Sequence, residues 1–218
     1  MRGKFIFHAG LLIAGLFFMA LGVALSIRSD LGTSPISCVP YVVSLYVPLT
    51  VGELTIFLHI ILVSLQVLLL RKNFHLVQAL QLIVGVIFGF FIDFSMYLTS
   101  WIPETAYAER LIMMILSAVI TGFGVFLEVK AKIIYLAGEG LAIAVSQVYN
   151  RAFGRAKVLV DSSMVAIGLA LSILLLHGVK GIREGTVLAA VLVGTSAKFF
   201  NDALTPVWHK IRQKGKTV

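Results

Sequence analysis

Long apolar blocks decide what this chain can fold into. Gly10 to Ile27, Ile56 to Leu70 and Leu80 to Phe91 are runs with few side chains that water would hold. A helix needs about 20 such residues to cross roughly 30 Å of hydrocarbon. Inside that layer the backbone finds no water to bond, so blocks of this kind must be helical. The alternating ten-residue pattern of a membrane barrel is not present. Of the 218 residues, 59% are apolar and 13% charged, against about 25% charged in a soluble domain. Too little charge is left to coat a water-facing surface.

The blocks and their breaks predict eight helical segments: 8–28, 33–48, 52–71, 75–99, 109–129, 139–151, 157–177 and 185–207. The second and sixth are short, and each follows a break, Asp30-Leu31-Gly32-Thr33-Ser34-Pro35 and Ala137-Gly138-Glu139-Gly140. Pro40 further weakens the second as a regular span. The order of elements repeats. Gly22-Val23-Ala24-Leu25 matches Gly124-Val125-Phe126-Leu127, and Arg28 falls opposite Lys130. Gly32 falls near Gly138 and Gly52 opposite Gly154; Gly85 and Phe90-Phe91-Ile92-Asp93 match Gly194 and Phe199-Phe200-Asn201-Asp202. The separation grows from 102 to 109 residues, so small insertions are implied.

Charge decides the topology. The net charge of +8 gathers at the chain ends, in Arg2, Lys4, Lys210, Arg212, Lys214 and Lys216. Positive residues stay cytoplasmic, so both termini are expected inside, and nucleic acid is not an expected partner. With both short helices re-entrant, Arg71, Lys72, Lys130, Lys132, Arg151, Arg155 and Lys157 lie inside, and Arg28, Arg110, Lys180 and Arg183 outside. Eight full crossings reverse that split. The loop carrying Trp101, Pro103 and Glu104 is poor in positive charge and suits the outside. The expected fold is an all-α polytopic membrane protein of two repeats. Each repeat holds four helices, three spans plus one short re-entrant helix, in inverted topology. The first covers 1–103; the second covers 104–218 and carries a basic cytoplasmic tail. Cys38 is the sole cysteine, so no intrachain disulfide is possible.

Leu31-Gly32-Thr33-Ser34-Pro35 after a first span resembles the signature of the YczE/YyaS/YitT-like bacterial membrane proteins. Gly185-Thr186-Val187-Leu188 leading to Val193-Gly194, and the glycine-rich break Leu136 to Gly140, are similar to further family features. The likeness runs from about Gly15 to Phe200. Ile36 departs from the tryptophan that often follows the signature proline, and Glu139 stands where a small residue is common. The resemblance implies a bacterial inner-membrane protein and supplies no catalytic residues.

Three constellations are candidates for chemistry. In the first, Arg28, Asp30, Gly32, Thr33, Ser34 and Pro35, Thr33 or Ser34 is placed to N-cap a helix with Pro35 in its first turn. A helix that begins within the membrane turns free N–H groups and a positive dipole end into a cavity. The repeat supplies a second such break, with Glu128, Lys130, Gly138, Glu139 and Gly140. The third set is charge inside apolar helices: Asp93, Asp161, Lys198 and Asp202. Charge at bilayer depth costs about 2.5–3.5 kcal/mol and tends to face partners or cavities. Lys198 and Asp202 are four apart and placed to pair. Asp93 and Asp202, as repeat mates, suit outer and inner gates or proton sites.

His59, Gln66 and Phe88 read as packing residues, and Gly85 with Gly89 as a small pair that seats a neighbouring helix. Neither a metal-ligand spacing nor a nucleotide-binding motif appears, so no cofactor is expected. Arg28 and Lys130 point to an anionic or zwitterionic solute. The expected function is a secondary transporter or channel for a small polar solute, with its site between two re-entrant helix N-termini. The alternative is a non-transporting accessory or regulatory membrane protein. An intramembrane enzyme built on Asp93 and His59 has no motif behind it. Membrane lipid and a small-molecule or ion solute are the expected partners, and a homodimer is permitted.

Overall fold

The structure, a computed structural model, describes residues 2–103 and 106–214, with side chains for 5–103 and 106–205. Glu104 and the basic side chains of both termini lie outside that description. Among the described residues there are eight α-helices and no strand. They are α1 (Arg2–Ser29), α2 (Pro35–Ser44), α3 (Val51–Leu70), α4 (Gln81–Leu98), α5 (Tyr107–Ala131), α6 (Ala137–Val148), α7 (Phe153–Leu176) and α8 (Glu184–Lys214). All except α2 and α6 are long and apolar enough to cross a bilayer. At 10 and 12 residues, these two reach about 15 and 18 Å at 1.5 Å per residue, well short of the hydrocarbon thickness.

The breaks before the short helices follow from backbone chemistry. After α1 the chain turns through Asp30 (φ 53°) and Gly32 (φ 114°). A Cβ on Gly32 would lie 2.9 Å from the Arg183 nitrogen, so a side chain is excluded on both counts. Pro35 then opens α2 with the φ a first helical turn requires. After α5 the chain turns through Lys132 (φ 51°) before α6 begins at Ala137.

The centre is the crossing of α1 with α5, the most extensive helix pairing. It runs antiparallel: His8 Nδ1 lies 2.8 Å from the Ala131 carbonyl at one end, and Ser29 Oγ reaches Met114 Sδ at the other. Small residues let the backbones close. A Cβ on Gly15 would meet the Gly124 carbonyl at 2.8 Å, and one on Gly22 the Ser117 carbonyl at 2.7 Å. α4 packs along α1, with Phe17 edge-on to Phe91 and the Arg28 guanidinium donating to the Met96 carbonyl at 3.0 Å. α8 packs along α5 in the same sense, with Phe123 against Phe200 and Lys130 Nζ donating to Thr205 Oγ1 at 2.9 Å. The short helices cross between the halves: α2 lies against α7, and α6 against α3.

Two neighbouring helix pairs differ in how closely they pack. α3 and α4 pack closely, with Gly52 against Gly89 and His59 over Gly85. α7 and α8 scarcely meet, and a Cβ on Gly154 or Gly194 would meet nothing within 4 Å.

Candidate functional site

The gap left by α7 and α8 opens into a cavity of about 780 Å³ beneath the two short helices. Ser34, Pro35 and Ser37 enter from the start of α2, and Gly138 and Glu139 from the start of α6. Glu128 enters from the last turn of α5, His59 and Phe88 from α3 and α4, and Lys157 and Asp161 from α7. The remaining wall is mostly apolar, with Val23, Val125 and Ala197 among its residues.

Glu128 is 1% exposed. Its Oε1 accepts the Leu136 N–H at 2.8 Å, which fixes the break between α5 and α6. Glu128 makes no other hydrogen bond among the described residues. Across the cavity Lys157 Nζ stands 2.8 Å from Asp161 Oδ1 and 3.6 Å from Glu139 Oε1. His59, 2% exposed, stacks on Phe88 with ring centroids 6.0 Å apart. Its Nδ1 lies over Gly85 and has no hydrogen-bond partner among the described residues. Behind the start of α6, Gln66 Nε2 donates to Gln81 Oε1 at 2.9 Å and to the Ala137 carbonyl at 3.1 Å. Gly140 keeps room for both amides, since a Cβ there would lie 2.6 Å from Gln81.

Ser34, Glu128, Gly138 and Glu139 thus come together at one cavity. Other candidates do not reach the cavity. Arg28 is turned to α4, and Lys130 to Thr205 and the face of Phe126. Asp30 is exposed and pairs with Arg110 at 3.2 Å and Arg183 at 3.5 Å, tying three helix ends together. Gly32 is held beneath Thr186, and Thr33 is fully buried with its hydroxyl unpartnered. Ser34 occupies the N-cap position of α2, but its hydroxyl donates to Ser37 Oγ at 2.9 Å and caps nothing. The first free N–H groups of α2, on Ile36 and Ser37, therefore have no side-chain cap.

The expected Lys198–Asp202 pair is not formed: no ion pair joins them among the described residues, and the Asp202 carboxylate accepts only from Asn201 at 3.2 Å. Both sit on the open side of α8, where the long lysine stem finds room to extend away. Asp93 instead caps α3. Its Oδ1 accepts the Gly52 N–H at 2.9 Å and its Oδ2 the Thr50 hydroxyl at 2.6 Å. A carboxylate is favoured at a helix N-terminus. Asp93→Ala is expected to cost about 0.5–2 kcal/mol, read as a lowered melting temperature in detergent. Unchanged melting would remove the capping role.

His59, Phe88, Lys157 and Asp161 are among the cavity residues that spacing did not single out as site lining. Asp161 carried a signal, a carboxylate inside an apolar run. His59 carried none that separates a packed ring from a cavity wall.

Helices of this length and composition, with two short ones wedged between them over a cavity that holds a few charged groups in a mostly apolar wall, define a multi-pass α-helical membrane protein. The chain belongs to the family of unknown function DUF6198, whose match covers residues 6–202. It is similar to the uncharacterized protein YyaS of Bacillus subtilis (strain 168), 29% identical over 181 residues that span 83% of this chain and 85% of that protein. The likeness agrees with the signature around Gly32 to Pro35. No solved structure matches the chain significantly.

Proposed function

We propose that this protein is a secondary transporter for a small polar solute, built as an inverted repeat, with its site in the cavity between α2 and α6. The observation that carries the reading is the cavity itself, lined by the N-terminal ends of two short helices. Broken helices of this kind near the midplane hold substrate in inverted-repeat transporters. The charge of the solute needs revision from the sequence expectation, because Arg28 and Lys130 stand outside the cavity.

Several features support inversion. α1 and α5 are antiparallel, as three crossings per repeat require; four crossings make them parallel. Residues with positive φ follow matching helices, at Asp30 and Lys132 and again at Arg71 and His177. The crossing repeats itself: Gly22 meets Ser117 and Thr121, and its mate Gly124 meets Gly15 and Met19. Arg28 to Met96 and Lys130 to Thr205 are likewise equivalent contacts.

The unequal halves favour a carrier over a channel. α3 is shut on α4 through Gly52, Gly89 and Asp93, whereas the mates Gly154, Lys198 and Asp202 stand apart. In the opposite state α7 closes on α8, Asp202 caps the N-terminus of α7, and α3 parts from α4. α7 now starts at the N-cap Ala152 with no side-chain cap.

The test uses G154C with K198C in a Cys38→Ala background, in proteoliposomes that take up one member of a panel of amines, amino acids and carboxylates. Oxidation is expected to cross-link α7 to α8 and stop uptake, and reduction to restore it. Absence of both cross-linking and uptake, with a stably copurifying membrane protein, would favour the accessory reading. That alternative leaves the cavity without a role.

A further inference from the structure

The groups facing the cavity are unequal in sign. Three carboxylates, Glu128, Glu139 and Asp161, face one ammonium, Lys157. Lys157 is already held between Asp161 and Glu139, so Glu128 has no cationic side chain paired to it among the described residues. A buried carboxylate without a positive partner is costly, and the missing charge has room to arrive in a cavity of about 780 Å³. A second group points the same way. His59 is 2% exposed, and its Nδ1 has no hydrogen-bond partner among the described residues. The ring lines the cavity. Phe88 and Tyr135 add aromatic faces to the wall, which attract cations and repel anions.

We infer that the cavity selects solutes through a protonated amine, which donates to the free oxygen of Glu128 and to His59 while its apolar body lies among the Val23, Val125 and Phe88 side chains. This deepens the transport reading and rests on it for the role of the cavity. The uncapped start of α2, with the Ile36 and Ser37 N–H groups, suits a carbonyl or carboxylate at the other end of the solute. A free amine and an amino acid therefore share the chemistry that Glu128 reads.

The test is equilibrium binding to the full chain in detergent by calorimetry, with benzylammonium, benzyl alcohol, benzoate and phenylalanine as probes. Wild-type protein is expected to bind benzylammonium at least tenfold more tightly than benzyl alcohol or benzoate. E128Q keeps an oxygen for the Leu136 N–H and is expected to lose that preference by tenfold or more, the scale of one hydrogen bond to a charged group. Glu139→Gln, which holds no backbone group, shifts the preference in the same direction, and Lys72→Gln, exposed in the turn after α3 and outside the cavity, leaves it unchanged. Phenylalanine binding as tightly as benzylammonium assigns the far end of the solute to α2; weaker binding assigns a simple amine. Failure to bind benzylammonium at millimolar concentration overturns the inference. So does equal binding of the neutral or anionic probe, or an undiminished preference in both glutamate variants. Amine binding without flux sinks the transport reading alone. Flux of a solute that lacks an amine sinks this inference alone.

Discussion

Replacing Glu128 with alanine is expected to destabilise the protein by about 1–3 kcal/mol, the cost of leaving a buried donor unpaired. The donor is the Leu136 N–H, which Glu128 accepts at 2.8 Å. That bond holds the turn on which α6 is hung, and α6 in turn packs on α3 and α7. Loss of the carboxylate therefore loosens the wall of the cavity as well as one turn. E128Q is the informative partner. It keeps an acceptor oxygen and leaves no group that could ionise at a buried position, where charge is unfavourable, so it is expected to melt at or above the wild-type temperature. The two variants separate a structural hydrogen bond from a functional charge. Alanine melting like wild type in a detergent thermal scan would show that the turn does not depend on Glu128.

The second large effect is expected at Gly52. A Cβ there would stand 2.5 Å from the Asp93 carboxylate and would collide with the Gly89 carbonyl. Neither neighbour is the flexible tip of a long side chain, so α3 and α4 must part. Overpacking of this kind costs about 1–3 kcal/mol. In Gly52→Val the separation also strains the bonds from Asp93 to Thr50 and Gly52, which adds to the loss. The matched control is Gly154→Val, where a Cβ meets nothing within 4 Å. Its melting temperature is expected to stay near wild type. Equal losses in the two variants would mean that the halves are packed alike, against the unequal closure that the carrier reading uses.

These contrasts show where sequence reasoning reaches and where it stops. The spans, the two short helices and the breaks before them were legible, since apolar length and the chemistry of glycine and proline act within a few residues. The proposed repeat rests on spacings such as Gly22 with Gly124 and Arg28 with Lys130. Glu128 was named with the second break, alongside Gly138 and Glu139. Arg28 and Lys130 misled because a long cationic side chain at a helix end can turn to either of two neighbours. Here each turns to the helix packed beside its own, α4 or α8, and away from the cavity. Lys198 and Asp202 have pairing spacing, yet spacing does not say whether another helix covers that face, and none presses them together.

What the sequence by itself determined is the membrane class, the number of long helices and the places where the chain breaks. These are local consequences of hydrocarbon thickness, backbone hydrogen bonding and allowed dihedral angles. Only the tertiary structure decided which side chains share the cavity. Glu128 and Asp161 are 33 residues apart in the chain, and His59 and Phe88 lie in the other half; they meet because small residues let α1 cross α5 closely while α7 and α8 stay apart. That arrangement is a property of helix faces and of one of two packings, and a linear pattern carries neither.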